Sequence, residues 1–305
     1  MPFSDRVSRL PWLGLGVSTE YGAGDAPGAL DVLDLRDLHP GWARFLEVGV
    51  EASRGLDQHA RAWIARDLPT TYHYLDVNLD EPEDFDDEWL ASVRALAGLL
   101  RPAWLCGDAG MWHLGRRERG HMLLLPPVLS AEAADALADG VVRLRDAVGY
   151  EVLPENPPGR VFLGDLHLLD FFARVAERAD TGLLLDCAHL GIFQRVRGLP
   201  PLTGFDGFPL ERVVEIHVAG GSERQTGGFA WVDDDHGTAV LADTWRIVEH
   251  VVDAAPNLKA VVFECERNPL AAVRPGFARL AGLLDQRAAH GPGMGGGRAA
   301  PAAPA

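Results

Sequence analysis

The segment Gly182-Leu183-Leu184-Leu185-Asp186-Cys187-Ala188-His189 is a short apolar run followed by a carboxylate and an imidazole. A strand with one solvent-exposed face alternates apolar and polar residues, whereas a strand buried on both faces is apolar throughout. Burial on both faces is typical of a parallel sheet that helices cover. The segment therefore predicts a parallel strand with polar groups at its carboxyl end.

Seven other short apolar runs share this character, and segments with helical periodicity separate them. Eight strand–helix units of about 35 residues predict an α/β fold, a (β/α)8 TIM barrel. The alternative is a doubly wound open sheet, but Gly14-Leu15-Gly16 lacks the third glycine of a phosphate loop. The strands are expected at Leu13–Ser18, Phe45–Glu51, Thr70–Val77, Ala103–Asp108, Tyr150–Glu155, Gly182–Asp186, Val213–Val218 and Ala260–Glu264. The helices are expected at Leu56–Ala65, Trp89–Leu100, Ala131–Val148, Leu166–Ala179, Thr244–Ala254 and Phe277–Ala288.

Composition and charge exclude several classes of protein. The 305-residue chain has 28 Lys+Arg against 44 Asp+Glu, a net charge of −16, which disfavours binding to nucleic acid or an anionic membrane. It has no apolar window of about 18 residues, no signal-peptide pattern and no CxxC among its three cysteines, so a cytoplasmic protein is expected. Residues 291–305 are rich in Gly, Pro and Ala and predict a disordered tail, which leaves 1–290 as a single barrel domain.

Polar residues gather where the predicted strands end, which is where a TIM barrel has its active site. Any one of them is more often a satisfied core side chain, a helix cap or a solvated loop residue than a ligand. Together they would repel one another at one barrel mouth unless cations held them. Imidazole and carboxylate ligands suit iron, manganese, zinc or cobalt rather than magnesium or calcium, and the set is large enough for two or more ions. The set comprises His73, Asp108, Glu155, Asp186, His189, His217, the expected loop 233–236 and Glu264.

These motifs resemble the multinuclear non-haem iron-dependent oxidative enzymes, a family that includes the iron oxidase of methanobactin biosynthesis. The resemblance runs from about Leu13 to Leu284, and its motifs occur in the family's order. They are Phe45-Leu46-Glu47-Val48, Tyr72-His73, Glu155-Asn156-Pro157, Leu184-Leu185-Asp186 with His189, Glu215-Ile216-His217-Val218-Ala219-Gly220, Asp234-Asp235-His236 and Val262-Phe263-Glu264. The resemblance implies a xylose-isomerase-like barrel that modifies ribosomally made peptides with iron and O2.

The resemblance also implies a ligand set and its cofactors. The family uses two or three iron ions in a mixed-valent Fe(II)/Fe(III) state, often with a separate partner protein that holds the leader peptide. One position departs from the family pattern, because Ala109 stands where a histidine is usual. Asp108 or His113 is the candidate replacement, and Asn156 is a further candidate ligand or supporting group. The implied metal ligands are His73, Glu155, Asp186, His189, His217, Asp234, His236 and Glu264.

The substrate and the rival functions stay open at this point. The long loop 111–127 contains Arg116, Arg117 and Arg119, which are candidates for contact with an acidic group of the peptide, although a solvated loop is the simpler interpretation. The main alternative is a divalent-metal sugar isomerase or epimerase on the same barrel. A metallonuclease is disfavoured by the net charge. A barrel without catalysis that serves as a peptide-binding scaffold is favoured only by Ala109.

Overall fold

A computed structural model describes residues 1–20, 22–115 and 123–290 of the chain. The candidate substrate residues Arg116, Arg117 and Arg119 and the expected tail 291–305 lie outside the described residues. Within those residues, no helix is long and apolar enough to cross a membrane.

Eight parallel strands form a closed barrel, as the sequence predicts. The strands are β1 Gly14–Glu20, β2 Leu46–Val50, β3 Thr70–Tyr74, β4 Leu105–Asp108, β5 Val152–Glu155, β6 Leu183–Asp186, β7 Val213–Thr226, β8 Phe229–Gly237 and β9 Ala260–Glu264. The barrel strands pair in the order β6-β5-β4-β3-β2-β1-β9-β7, and a pairing of β6 with β7 closes the ring. The remaining strand, β8, pairs antiparallel with β7 and extends it as a hairpin.

Helices surround the barrel, and all six that the sequence predicts are present. The amphipathic pattern of Trp89–Leu100 is borne out, since its apolar residues are buried against the strands. Three shorter or more uniformly buried helices, α1, α2 and α7, were not predicted. The helices are α1 Phe3–Val7, α2 Val32–Leu38, α3 Gln58–Ala65, α4 Asp87–Leu100, α5 Ala131–Val148, α6 Leu168–Ala179, α7 Cys187–Arg197, α8 Ala242–Ala254 and α9 Leu270–His290.

Side chains fill the lower half of the barrel interior. Phe45 and Trp104 lie there, fully buried, among small aliphatic residues from the other strands. Phe3 and Val7 of α1 pack against this layer. The lower part of the barrel is thus a packed core rather than a pore, as is usual for this fold.

The segment 233–236 is a strand and not the loop that the sequence analysis expects. β7 continues beyond the barrel as far as Thr226, and the chain turns at Gly227 and Gly228, whose φ angles are 54° and 84°. Two successive residues with positive φ are what a tight hairpin turn requires, and glycine adopts this conformation without strain. β8 then returns Asp234 and His236 to the barrel mouth.

Candidate metal centre

The carboxyl ends of the strands bring every implied ligand to one buried cluster. These ligands are His73 on β3, Glu155 on β5, Asp186 on β6, His189 on α7, His217 on β7, Asp234 and His236 on β8, and Glu264 on β9. Six of them expose at most 4% of their surface, and Asp234 and His236 are partly exposed. The hairpin residues therefore form the outer side of the cluster.

Glu155 lies at the centre of the cluster. Its Oε2 is 2.8 Å from Nε2 of His73. Its Oε1 is 3.3 Å from Nδ1 of His217 and 3.6 Å from Nδ1 of His189. One carboxylate in contact with three imidazoles is well placed to bridge two cations.

Two groups of ligand atoms share Glu155. The first comprises His73, Asp108 and Glu155, and the second comprises Glu155, Asp186 and His189. Within each group the ligand atoms lie within 4.8 Å of one another, which is compatible with ligation of one ion. Asp108, one of the two candidate replacements for the usual histidine, therefore lies beside His73 in the first group.

A third group lies toward the hairpin and comprises Glu20, His236 and Glu264. His236 Nε2 is 3.8 Å from Glu264 Oε2, and its Nδ1 is 2.8 Å from Glu266 Oε1. Asp234 connects this group to the second one, because its Oδ2 lies 3.0 Å from His189 Nε2 and 3.5 Å from His236 Nε2. The three groups form one continuous centre.

Helix α7 begins inside the centre, which corrects the expected position of His189. The carboxylate of Asp186 caps the helix and accepts a hydrogen bond from the backbone N–H of His189 at 2.6 Å. The His189 side chain therefore projects from the first helical turn rather than from the strand end. The helix N-terminus also favours the negative charge of Asp186.

Asn156 and His113 have other partners. The Asn156 amide donates to the carbonyl of Asp186 at 3.0 Å and accepts from its N–H at 2.9 Å, so it joins β5 to β6 and supports Asp186. His113 contacts Asp84 through Nε2 and the Gly115 carbonyl through Nδ1, each at 2.8 Å. Both of its ring nitrogens are therefore engaged away from Glu155.

Four acidic residues in or below the centre were not predicted from the sequence, and two of them, Glu20 and Glu266, lie in the centre itself. Glu20 was not predicted because β1 ends two residues later than expected. Strand alternation puts Ser18 and Glu20 on the same face, and this signal could have identified Glu20. Glu266 follows the last strand and holds His236, while Glu47 and Glu215 lie one layer deeper in the barrel.

The imidazoles carry strongly shifted pKa values. Burial opposes the charge of His73, but the carboxylates of Glu20 and Glu155 outweigh burial and raise its pKa to about 10. Burial likewise opposes the charge of His189, His217 and His236, and neighbouring carboxylates raise the pKa of each well above its usual value. Without metal, these histidines hold protons that a cation would displace.

The carboxylates separate into two sets. Burial opposes ionisation of Glu155 and Asp234, yet the surrounding histidines outweigh it and lower the pKa of both. Burial raises the pKa of Glu20 to about 8, and it raises the pKa of Asp108 well above the usual value with Glu155 adding to the effect. Protons and histidine charges thus compensate part of the negative charge that cations would otherwise neutralise.

The residues fit a set of metal ions. Buried polar atoms in proteins nearly always have hydrogen-bond partners, so a concentration of exceptions fits a set of bound cations. In the described part of this centre, many buried ligand atoms have no hydrogen bond. They are Glu20 Oε1, His73 Nδ1, Asp108 Oδ1, Glu155 Oε1, Asp186 Oδ2, His217 Nδ1, Asp234 Oδ1 and Glu264 Oε2.

Comparison with known proteins identifies the family. Residues 32–274 match the family described as RiPP precursor modification enzyme MbnB/TglH/ChrH. The chain belongs to this family. Its members act on precursors of RiPPs, which are ribosomally synthesised and post-translationally modified peptides.

Several relatives from other bacteria are UPF0276 proteins. A UPF0276 protein of Anaeromyxobacter sp. is 28% identical over 193 residues, which cover 62% of this chain and 65% of the relative. A UPF0276 protein of Caulobacter vibrioides is 28% identical over 186 residues, with coverages of 60% and 65%. These alignments thus span slightly less than two thirds of the relatives' length. A UPF0276 protein of Rhizorhabdus wittichii is 26% identical over 244 residues, with coverages of 78% and 82%.

Solved structures confirm the xylose-isomerase-like fold. A xylose isomerase-like TIM barrel protein of Mycobacterium smegmatis, solved with magnesium, has a TM-score of 0.56 and 13% identity and covers 92% of this chain and 98% of its own. A D-tagatose 3-epimerase-like protein has a TM-score of 0.53 and 13% identity, with coverages of 90% and 99%. At such identities the similarity shows the fold and not the activity.

Proposed function

We propose that this family member binds iron at the barrel mouth and uses O2 to modify a ribosomally synthesised precursor peptide oxidatively. The observation that carries the proposal is the buried centre of three adjacent ligand groups, two of which share Glu155, whose ligand atoms include many without a hydrogen bond. Family membership supports a precursor peptide as the substrate. Iron and O2 are the part of the proposal that goes beyond the family's description.

Two or three ions, as a mixed-valent Fe(II)/Fe(III) set, fit the three ligand groups. Imidazole and carboxylate ligands together suit iron, and iron supplies Lewis acidity and one-electron chemistry with O2. The ions would be held by the groups His73–Asp108–Glu155, Glu155–Asp186–His189 and Glu20–His236–Glu264, with His217 and Asp234 between them.

The protein's own residues provide position and a dry environment. The packed floor of the barrel leaves the mouth as the route of entry, so water is excluded from below. Glu155 fixes the positions of neighbouring ligand side chains through its contacts with His73 and His217. Asp234 and His236 sit on a hairpin at the outer edge, where an extended peptide would approach. We also propose that a separate protein holds the leader segment of that peptide.

Coexpression with the short peptides encoded beside the gene tests this function. Mass spectrometry should show a mass change in one peptide that requires both iron and O2. Glu155→Gln, which keeps the shape of the side chain and removes its charge, should abolish the change. A reaction that leaves mass unchanged, proceeds without O2 and prefers manganese or magnesium would contradict the proposal and favour the isomerase or epimerase alternative.

A further inference from the structure

A buried carboxylate, Glu47, lies one layer below the ligand groups. It is on β2, is fully buried, and its Oε1 is 2.9 Å from Nε2 of His217. Its Oε2 accepts a hydrogen bond from the Thr71 hydroxyl at 3.2 Å and from the Cys106 thiol at 3.1 Å. Contacts from three strands therefore fix the position of this carboxylate.

The two nitrogens of His217 face different surroundings. Nε2 faces Glu47, whereas Nδ1 lies 3.3 Å from Glu155 Oε1 and 3.2 Å from Glu264 Oε1. Carboxylates lie beside both nitrogens, and Glu47 is the nearest of them. Glu155 and Glu264 belong to the three ligand groups and would be drawn to a cation, so Glu47 favours the single N–H of the neutral imidazole on Nε2. The lone pair is then left on Nδ1, which is the nitrogen that faces the ligand groups.

We propose that Glu47 is a positioning residue that fixes the tautomer and orientation of His217 so that Nδ1 is presented to a metal ion, an inference that rests on the proposed function. A carboxylate behind a ligating histidine also makes the imidazole a better ligand. Loss of such a partner typically weakens metal binding about 10–100-fold. Glu47 acts through His217 and does not itself bind the ion.

Glu215 offers a matched control. It is also a fully buried carboxylate of the deeper layer, and it lies two residues before His217 on β7. Its Oε2 accepts a hydrogen bond from the Trp104 indole at 2.7 Å, so its described partner is an indole and not an imidazole. Glu47 itself belongs to two groups of ligand atoms that lie within 4.8 Å of one another, one with His73 and His217 and one with Cys106 and Glu215. The experiment must therefore separate positioning from direct ligation.

Anaerobic titration of the full chain with Fe(II), which measures the affinity for iron, tests the inference. The number of ions per chain at saturation and the melting temperature of the metal-free protein are measured as well. Glu47→Gln should bind as many ions as the wild type, with the affinity for one of them about 10–100-fold lower. Glu215→Gln should bind iron as the wild type does. His217→Ala alone should weaken binding of that same ion. The double variant His217→Ala/Glu47→Gln should bind it no more weakly than His217→Ala does.

Three results would overturn the inference. The first is an unchanged iron affinity in Glu47→Gln. The second is the loss of a whole ion from Glu47→Gln at saturation, which would make Glu47 a ligand. The third is a loss of affinity in Glu215→Gln equal to that in Glu47→Gln. If Glu47→Gln does not fold, Thr71→Val can replace it, because it removes only the hydroxyl that donates to Glu47. Thr71→Val should lower the iron affinity measurably but less than tenfold. An unchanged affinity would again overturn the inference. A wild type that binds no iron would instead refute the proposed function.

Discussion

At the scale of single residues, substitution of Glu155 tests whether the metal ions share a ligand or occupy separate sites. Because two ligand groups share it, Glu155→Ala should lose more than one ion per chain. Glu264→Ala, at the edge of the centre, should lose only one. Elemental analysis of both variants after anaerobic loading with iron checks this. Equal losses from the two variants would show that Glu155 does not bridge.

We propose that Asp108 supplies the ligand that Ala109 cannot. Its Oδ1 is buried without a hydrogen bond, and the residue groups with His73 and Glu155. Asp108→Asn should therefore lose one ion per chain. Asp233→Asn is the control, since Asp233 lies on the exposed side of the hairpin beside Arg160 and should retain every ion. Full iron binding by Asp108→Asn would show that this position is not a ligand.

The shifted pKa values predict how the metal-free protein responds to pH. The pKa of His73 is raised from 6.5 to about 10, so its contribution to stability is complete below about 6.5 and is lost as the pH rises through 10. The raised pKa of Glu20, from 4.5 to about 8, acts in the same direction between those values, because the folded state holds the extra proton.

The melting temperature of the metal-free protein should therefore fall between pH 6.5 and pH 9. A loss of 1 kcal/mol lowers it by about 2–4 °C in a large domain. The iron-loaded protein is the control and should not show this fall, because bound cations replace the protons. Differential scanning calorimetry of both forms makes the comparison, and a metal-free protein that gains stability with pH would contradict the assignment.

At the scale of elements, the β7–β8 hairpin completes the outer side of the centre. A Cβ atom at Gly220 would lie 2.3 Å from the carbonyl oxygen of Gly237, so even alanine must push the two strands apart. Gly220→Ala should lose the ion held by His236 and keep the barrel folded. Thr226→Ala, at the exposed tip, is the control and should bind iron normally. Unchanged ion content in Gly220→Ala would show that the hairpin does not hold a ligand in place.

The elements also show what could be predicted from sequence. The eight barrel strands were predictable because burial on both faces leaves a continuous apolar run, as in Leu183–Asp186. The hairpin was missed although Gly227-Gly228 between two strand-like runs is a turn signal, because its charged residues suggested a loop. Helix α7 was missed because nearly all of its first two turns is buried, which removes the amphipathic pattern.

The convergence of the candidate ligands could be predicted from the sequence, whereas the partners of the deeper carboxylates could not. His217 and Glu264 end strands that could be placed from sequence, so their convergence follows from the barrel geometry. Glu47 and Glu215 belong to the interior layer below, and no local pattern states which imidazole or indole each one contacts. Those partners depend on register between distant strands, such as the pairing of His217 with Val262.

At the scale of the whole molecule, one end of the barrel is closed and the other carries the buried acidic and imidazole groups. Packing of α1 against the floor confines the polar cluster to the mouth. A net charge of −16 produces a field that attracts cations and basic peptide segments to such a mouth and repels polyanions. This distribution favours a metalloenzyme that acts on a peptide over one that acts on nucleic acid.

The number and kind of metal ions per chain test the central claim most directly. The protein should be purified anaerobically after expression with added iron, and then measured by elemental analysis and Mössbauer spectroscopy. A multinuclear centre built on the three ligand groups predicts two or three irons per folded chain, with a magnetically coupled signal. A folded chain that binds no iron, or that binds one ion and prefers zinc, manganese or magnesium, would contradict it.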